Sequence, residues 1–217
     1  MTKILINPNS KDIKIKENTE ENFFIILSQD YEEKLLFNFD FEKNTKLNFY
    51  IVSILGNCEK LELETNSNQK STNSKSNFSI QTLLIDNAEM EYKGNIYIPK
   101  GAKKSEGILY HHTLLLSDNS KIKSIPCLEV IEDDVKACHG TSTGKIDESQ
   151  IFYMQSRGLK RIQAINLLIK AFIKKDLKFL TETEKKDIEE KIDEIISEKI
   201  EKSCETDPCK CKSCKYT

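Results

Sequence analysis

No stretch of this chain is apolar for long enough to cross a membrane. The longest early run, Phe23 to Leu27, is shorter than the ~7–15 residues of a signal-peptide core and far short of the ~20 residues of a membrane span. The opening MTKILINPNS has no signal-peptide pattern, so the expected location is the cytoplasm. A basic excess is missing too. The formal net charge is −2, which leaves nothing to neutralise a phosphate backbone and argues against a nucleic-acid partner. Common enzyme signatures are also absent. There is no P-loop, no dinucleotide fingerprint, no H-E-x-x-H and no G-x-S-x-G. With three histidines, few general bases are on offer. Hydrophobic residues make up 38% and charged residues 31% of the 217 residues, so a thin core under a large solvated surface is expected.

Cysteine is the residue type the chain does concentrate. Of seven, Cys58, Cys127 and Cys138 are scattered, while Cys204, Cys209, Cys211 and Cys214 crowd the last residues. An odd count without an export signal argues against a disulfide framework and for metal binding. Cys58 and Cys127 fall in strand-like segments and read as packing residues.

The first half is strand-like. Leu47 to Val52, Leu61 to Glu64, Phe78 to Ile85, Asn95 to Ile98, Ile108 to Leu116 and Leu128 to Ile131 are short apolar or alternating runs between Asn, Ser, Lys and Gly clusters. The wholly polar stretch 66–77 reads as a loop or a disordered excursion. Many short strands without intervening helices fit a β-sandwich, a barrel or a β-helix. Pattern alone does not choose among them, and no clean repeat is visible.

The character changes after Gly144. Asp147-Glu148-Ser149-Gln150 opens a helix that Arg157-Gly158 closes. A second helix spans 160–174, with Ile162, Ile165, Ile169 and Phe172 on one stripe. Thr181-Glu182-Thr183-Glu184 is a capping box for a third. Its stripe of Ile188, Ile192, Ile195, Ile196 and Ile200 must pack against this chain or a partner.

Six elements over about eighty residues carry a resemblance. They are Tyr92-Lys93-Gly94-Asn95-Ile96-Tyr97-Ile98, Pro99-Lys100-Gly101-Ala102-Lys103-Lys104, Thr113-Leu114-Leu115-Leu116-Ser117-Asp118, Pro126-Cys127-Leu128-Glu129-Val130, Asp133-Asp134-Val135-Lys136-Ala137-Cys138-His139-Gly140 and Phe152-Tyr153-Met154-Gln155-Ser156-Arg157-Gly158. In this order they resemble the C-terminal half of the SufB/SufD family of iron–sulfur cluster assembly proteins. A weaker likeness reaches back to about Leu35.

The resemblance implies a mainly β fold: a right-handed parallel β-helix core followed by a small α-helical C-terminal region. It gives a core (35–145) and a helical ATPase-docking region (146–202); an N-terminal segment (1–34) and a Cys-rich tail (203–217) lie outside the likeness. It implies a non-enzymatic subunit of a SUF-type complex, with ATP hydrolysis confined to a SufC-like ABC-type ATPase. The other partner would be a second copy or a SufB-like protomer, paired through the terminal β-strands, and a sulfur donor is a further expected partner. An iron–sulfur cluster or iron would be held transiently.

Candidate ligands follow from the same likeness. His139 occupies the histidine of the family's S-H-G element. It is either an iron ligand or a hydrogen-bonded interface histidine. Cys138 stands one residue after the usual family cysteine, where Ala137 is here, so on a strand it faces the opposite way and reads as a ligand or as a small packing residue. His111 aligns with a scaffold cysteine of SufB, placing an imidazole where SufB has a thiolate. With Gly140 in place of a glutamate, the chain is closer to SufD. His112 should face away from His111. The tail cysteines Cys204, Cys209, Cys211 and Cys214 have no family counterpart. Four thiols in eleven residues suit zinc or an iron–sulfur cluster. A second function therefore competes: a metal or cluster carrier or sensor working through the tail.

Overall fold

The computed structural model describes residues 2–29, 31, 33–174, 177 and 180–205, the last five by backbone alone. Cys209, Cys211 and Cys214 lie outside the described residues. Eleven strands come first: β1 (Thr2–Ile6), β2 (Lys11–Ile15), β3 (Glu20–Leu27), β4 (Leu35–Phe41), β5 (Thr45–Leu55), β6 (Lys60–Asn68), β7 (Ser74–Leu84), β8 (Glu89–Ile98), β9 (Glu106–Leu115), β10 (Lys121–Val130) and β11 (Lys136–Lys145). Helices α1 (Glu148–Ser156), α2 (Arg161–Lys174) and α3 (Glu182–Glu205) follow.

Odd strands form one sheet in the order β1-β3-β5-β7-β9-β11, and even strands a second in the order β10-β8-β6-β4-β2. Every pairing is parallel. The chain thus winds as a β-solenoid of about five turns, which makes the β-helix the right choice among the three all-β architectures. Register partners such as Lys46, Lys75, Glu106 and Lys136 lie about thirty residues apart.

A repeat therefore exists. It is written in turn chemistry rather than in hydrophobic pattern. Asn18, Asn44 and Asn73 adopt φ of 58°, 56° and 57° at the bend before successive odd strands, and Lys104 continues the row at 61°. Asparagine tolerates this left-handed conformation better than most residues. Its amide also ties the turns together: Asn44 Nδ2 donates to Asn18 Oδ1 at 3.0 Å, and Asn73 Nδ2 to Asn44 Oδ1 at 2.9 Å.

The interior is built by stacking equivalent residues. Phe23, Phe49, Phe78 and Leu109 share one register row, and Phe37 and Phe39 meet them from the other sheet. Phe39 lies edge-on to Phe49 with centroids 4.7 Å apart. The stretch 66–77 corrects the loop expectation. Its ends belong to β6 and β7, and Ser67, Gln69, Ser74 and Ser76 are buried. Polar side chains are tolerated inside because they pair with one another. Ser67 Oγ donates to Ser76 Oγ at 3.0 Å, and Gln69 Nε2 donates to Ser76 Oγ at 2.8 Å and to the Glu106 carbonyl at 2.9 Å. β1, β2 and β3, which fall within 1–34, are strands of the same two sheets. Cys58, read from sequence as a packing residue, is instead exposed, because Gly56-Asn57, with Asn57 at φ 53°, ends β5 first.

The odd-numbered sheet has a second apolar face. Phe24, Ile26, Tyr50, Val52, Ile54, Leu83 and Ile85 point outward and are covered by the three helices. Asp147 caps α1, its Oδ1 accepting from Ser149 N at 2.9 Å, and Gly158 follows its end at φ 94°. The capping box of α3 forms, with Thr181 N donating to Glu184 Oε2 at 2.9 Å and Glu184 N to Thr181 Oγ1 at 3.3 Å. The isoleucine stripe of α3 is buried within this chain.

Candidate assembly site at the last turn

The last strands of the solenoid, β9 and β11, carry three of the seven predicted site residues: His111, Cys138 and His139. On β9 and β11 side chains alternate between inside and outside. Leu109 is wholly buried in the inner core, and its register partner is His139. His139 therefore stands on the inward face at the open end of the solenoid, where it is exposed because no turn covers it. Cys138 pairs in register with Ile108 and lies on the outer face, its Sγ 3.6 Å from the Tyr110 hydroxyl. Adjacent in sequence, Cys138 and His139 are on opposite faces and share no hydrogen bond.

His111 is buried one turn behind His139, at 1% exposure. Its register partner on β11 is Thr141. Both ring nitrogens have hydroxyl neighbours: Nδ1 is 2.8 Å from Ser124 Oγ, and Nε2 is 3.0 Å from Thr82 Oγ1 and 3.3 Å from Thr113 Oγ1. Tyr92 packs edge-on against the ring at 4.7 Å. Burial, reinforced by neighbouring His112, pushes the His111 pKa down to about 3, so the ring is neutral at physiological pH. A neutral imidazole is competent as a ligand, but here its nitrogens face hydroxyls inside the solenoid.

His112 points outward, as the alternation requires. Its Nδ1 is 2.6 Å from Ser142 Oγ, and its ring stacks on Tyr110 with centroids 6.0 Å apart. The structure thus separates the predicted residues into three places: His139 at the open end, His111 inside, and Cys138 outside with Tyr110. Among the described residues, no three of His, Cys, Asp and Glu come close enough together to hold a metal ion. A cluster on this turn would need ligands from beyond the described residues. Cys204 lies in the last turn of α3, away from this turn in sequence.

Two glycines explain part of the quoted motifs. A Cβ on Gly94 would come within 2.4 Å of Leu109 Cδ1 and 2.5 Å of Tyr92 Oη, and one on Gly140 within 3.0 Å of the Tyr110 ring. The first keeps room for the Tyr92–His111 contact, and the second lets Tyr110 lie across β11. Tyr110, Ser124 and Thr82 are neighbours of the site that sequence reading did not single out. Tyr110 alone had a usable signal, being two residues from His112 and hence on the same face.

The family model "SUF system FeS cluster assembly, SufBD core domain" matches residues 7–172. The chain belongs to the SufB/SufD family. The iron–sulfur cluster assembly protein SufD of Escherichia coli K12 is 35% identical over 92 residues, which are 42% of this chain and 22% of that protein. A SufBD family protein of Synechocystis is 26% identical over 131 residues, 60% of this chain and 29% of that one. One from Pyrococcus horikoshii is 33% identical over 98 residues, 45% and 22% of the two chains. The aligned stretches are thus under a third of the length of these relatives. In this SufB/SufD chain the family match takes in the solenoid from residue 7 together with α1 and all but the last two residues of α2, and ends before α3. No helix among the described residues is long and apolar enough to cross a membrane.

Proposed function

We propose that this SufB/SufD protein is a non-catalytic subunit of a SUF-type iron–sulfur cluster assembly complex. It pairs through β11 with a second copy or a SufB-like protomer and docks a SufC-like ATPase on α1 and α2. One observation carries the reading. β11 closes the six-stranded sheet, pairs as a strand with β9 alone among the described residues, and presents His139 at the open end. An unpaired strand edge is a template for another strand, and pairing there would bring two copies of His139, or His139 and a partner's ligands, to one interface. The cluster is cargo in this scheme, and ATP hydrolysis belongs to the docked partner.

Docking is supported by apolar side chains that face solvent. Phe152 and Tyr153 on α1 are 74% and 58% exposed, and Leu167 on α2 is 51% exposed. Arg157 lies over the Tyr153 ring, its guanidinium carbon 5.2 Å from the centroid. Exposed aromatics beside arginine are typical anchors of protein interfaces.

The test mixes the full chain with a SufC-type ATPase and reads complex mass by light scattering and affinity by calorimetry. A complex containing two SufB/SufD-type protomers is expected. Phe152→Asp with Tyr153→Asp should weaken ATPase binding by about a hundredfold (~3 kcal/mol). Unchanged affinity in that variant, or a wild-type chain that stays alone and monomeric, sinks the proposal.

A further inference from the structure

The role proposed above uses the last turn of the solenoid and the first two helices. It leaves α3 unused, and this helix lies beyond the family match, which ends at residue 172. Two ion pairs tie α3 to α2. Lys174 Nζ is 3.4 Å from Glu189 Oε1, and Lys170 Nζ is 2.7 Å from Asp193 Oδ2. Both partners step by four residues, about one helical turn, and in opposite directions along the chain. The pairs are therefore successive rungs between antiparallel helices. By the same count the next rung is Asn166 with Ser197, which carries no charge of either sign.

A cleft of about 140 Å³ opens at this rung, lined by Asn166, Lys170, Asp193, Ile196 and Ser197. That is well below the ~300–1,000 Å³ of sites for drug-sized ligands, so only a molecule of a few heavy atoms fits. Ile196, 3% exposed, gives the cleft an apolar wall. Asn166 Oδ1 is buried and has no hydrogen-bond partner among the described residues. A buried acceptor without a donor is costly, and most such groups are satisfied. The side chains of Lys170 and Asp193 are 43% and 41% exposed, so both charges are open to a solute as well as to each other.

The charges select the class of ligand. A simple anion drawn to Lys170 would meet the carboxylate of Asp193 beside it, and a simple cation drawn to Asp193 would meet the ammonium of Lys170. A molecule with both charges on adjacent carbons satisfies the two together. We infer that the cleft between α2 and α3 binds a small zwitterionic α-amino acid whose side chain is a hydrogen, a methyl or a hydroxymethyl. Its ammonium donates to Asp193 and to Asn166 Oδ1, its carboxylate accepts from Lys170, and its side chain meets Ile196 and Ser197. The Lys170–Asp193 pair loosens to admit it, which costs little for a pair so exposed. No bond is made or broken. The site goes beyond the assembly role, and neither proposal needs the other.

The experiment titrates the full, isotope-labelled chain with L-alanine and follows side-chain and backbone amide resonances by NMR. Saturable shifts are expected at Asn166, Lys170, Asp193 and Ser197, with a Kd on the order of a millimolar. Acetate and methylammonium, which carry one charge each, should bind at least about tenfold more weakly, as should L-alanine to Lys170→Gln or Asp193→Asn. Lys174→Gln breaks the neighbouring rung without touching the cleft and should bind L-alanine as the wild type does. An equal loss in Lys174→Gln would assign the effect to the helix pair rather than to the cleft and overturn the site. The inference also fails if L-alanine gives no saturable shift up to about 50 mM, if the shifts lie elsewhere, or if acetate or methylammonium binds as well.

Discussion

His111 illustrates how much a single side chain depends on the turn around it. Its imidazole is enclosed by Thr82, Thr113, Ser124 and Tyr92 and holds a pKa of about 3. In the unfolded chain the same ring titrates near ~6.5. The folded state therefore resists a proton that the unfolded state accepts, and stability falls as pH drops through 6.5 toward 3. Urea denaturation at pH 7.5 and 5.5 should differ by about 1 kcal/mol from this residue. His111→Gln, whatever its own cost, should flatten that slope, and an undiminished slope would assign the effect to another group. Glu64 and Glu106, whose carboxyls are held below the usual range by Lys34 and Lys75, add their own losses only at lower pH. Sequence made part of this legible. Alternation along β9 and β11 was enough to set Cys138 against His139 and His112 against His111. It could not say which phase faces the interior, because His-His-Thr offers no apolar residue to decide it.

At the scale of the element, the asparagine rows govern how turns stack. Asn44 is the middle member of its row, at φ 56°, donating to Asn18 and accepting from Asn73. Asn44→Ala removes both side-chain bonds and forces a Cβ-bearing residue without local hydrogen bonds into the left-handed region. A loss of about 1–2 kcal/mol is expected from thermal or urea unfolding. Asn44→Gly keeps the conformation at little cost and should recover part of that loss. Equal losses for the two variants would mean that the amide ladder alone matters. This row also explains why the repeat escaped hydrophobic pattern analysis. Asn18-Thr19, Asn44-Thr45 and Asn73-Ser74 spell it, but the spacing drifts between them, and the interior residues of one row change from Phe to Leu to His. The helices were easier to read, since Asp147, Gly158 and the Thr181–Glu184 box mark their ends chemically.

For the molecule as a whole, stability should be graded along the solenoid axis. β5 and β7 each pair with a neighbour on both edges, face the aromatic core on one side and have helix-covered residues on the other. Among the described residues β1 and β11 have one paired edge each, and β11 is exposed along most of its length. A stack whose turns contact only their neighbours behaves as a nearly one-dimensional array, and its ends open at lower free energy than its middle. Amide exchange in the isolated chain should be slowest in β5 and β7 and roughly a hundredfold faster in β1 and β11. Uniform protection would instead mean that helices and solenoid unfold as a single unit. The proposed pairing adds a test at one end: if a partner strand engages β11, then in the complex β11 should gain protection while β1 does not. A rise confined to α1 and α2 would indicate that the ATPase docks without strand pairing.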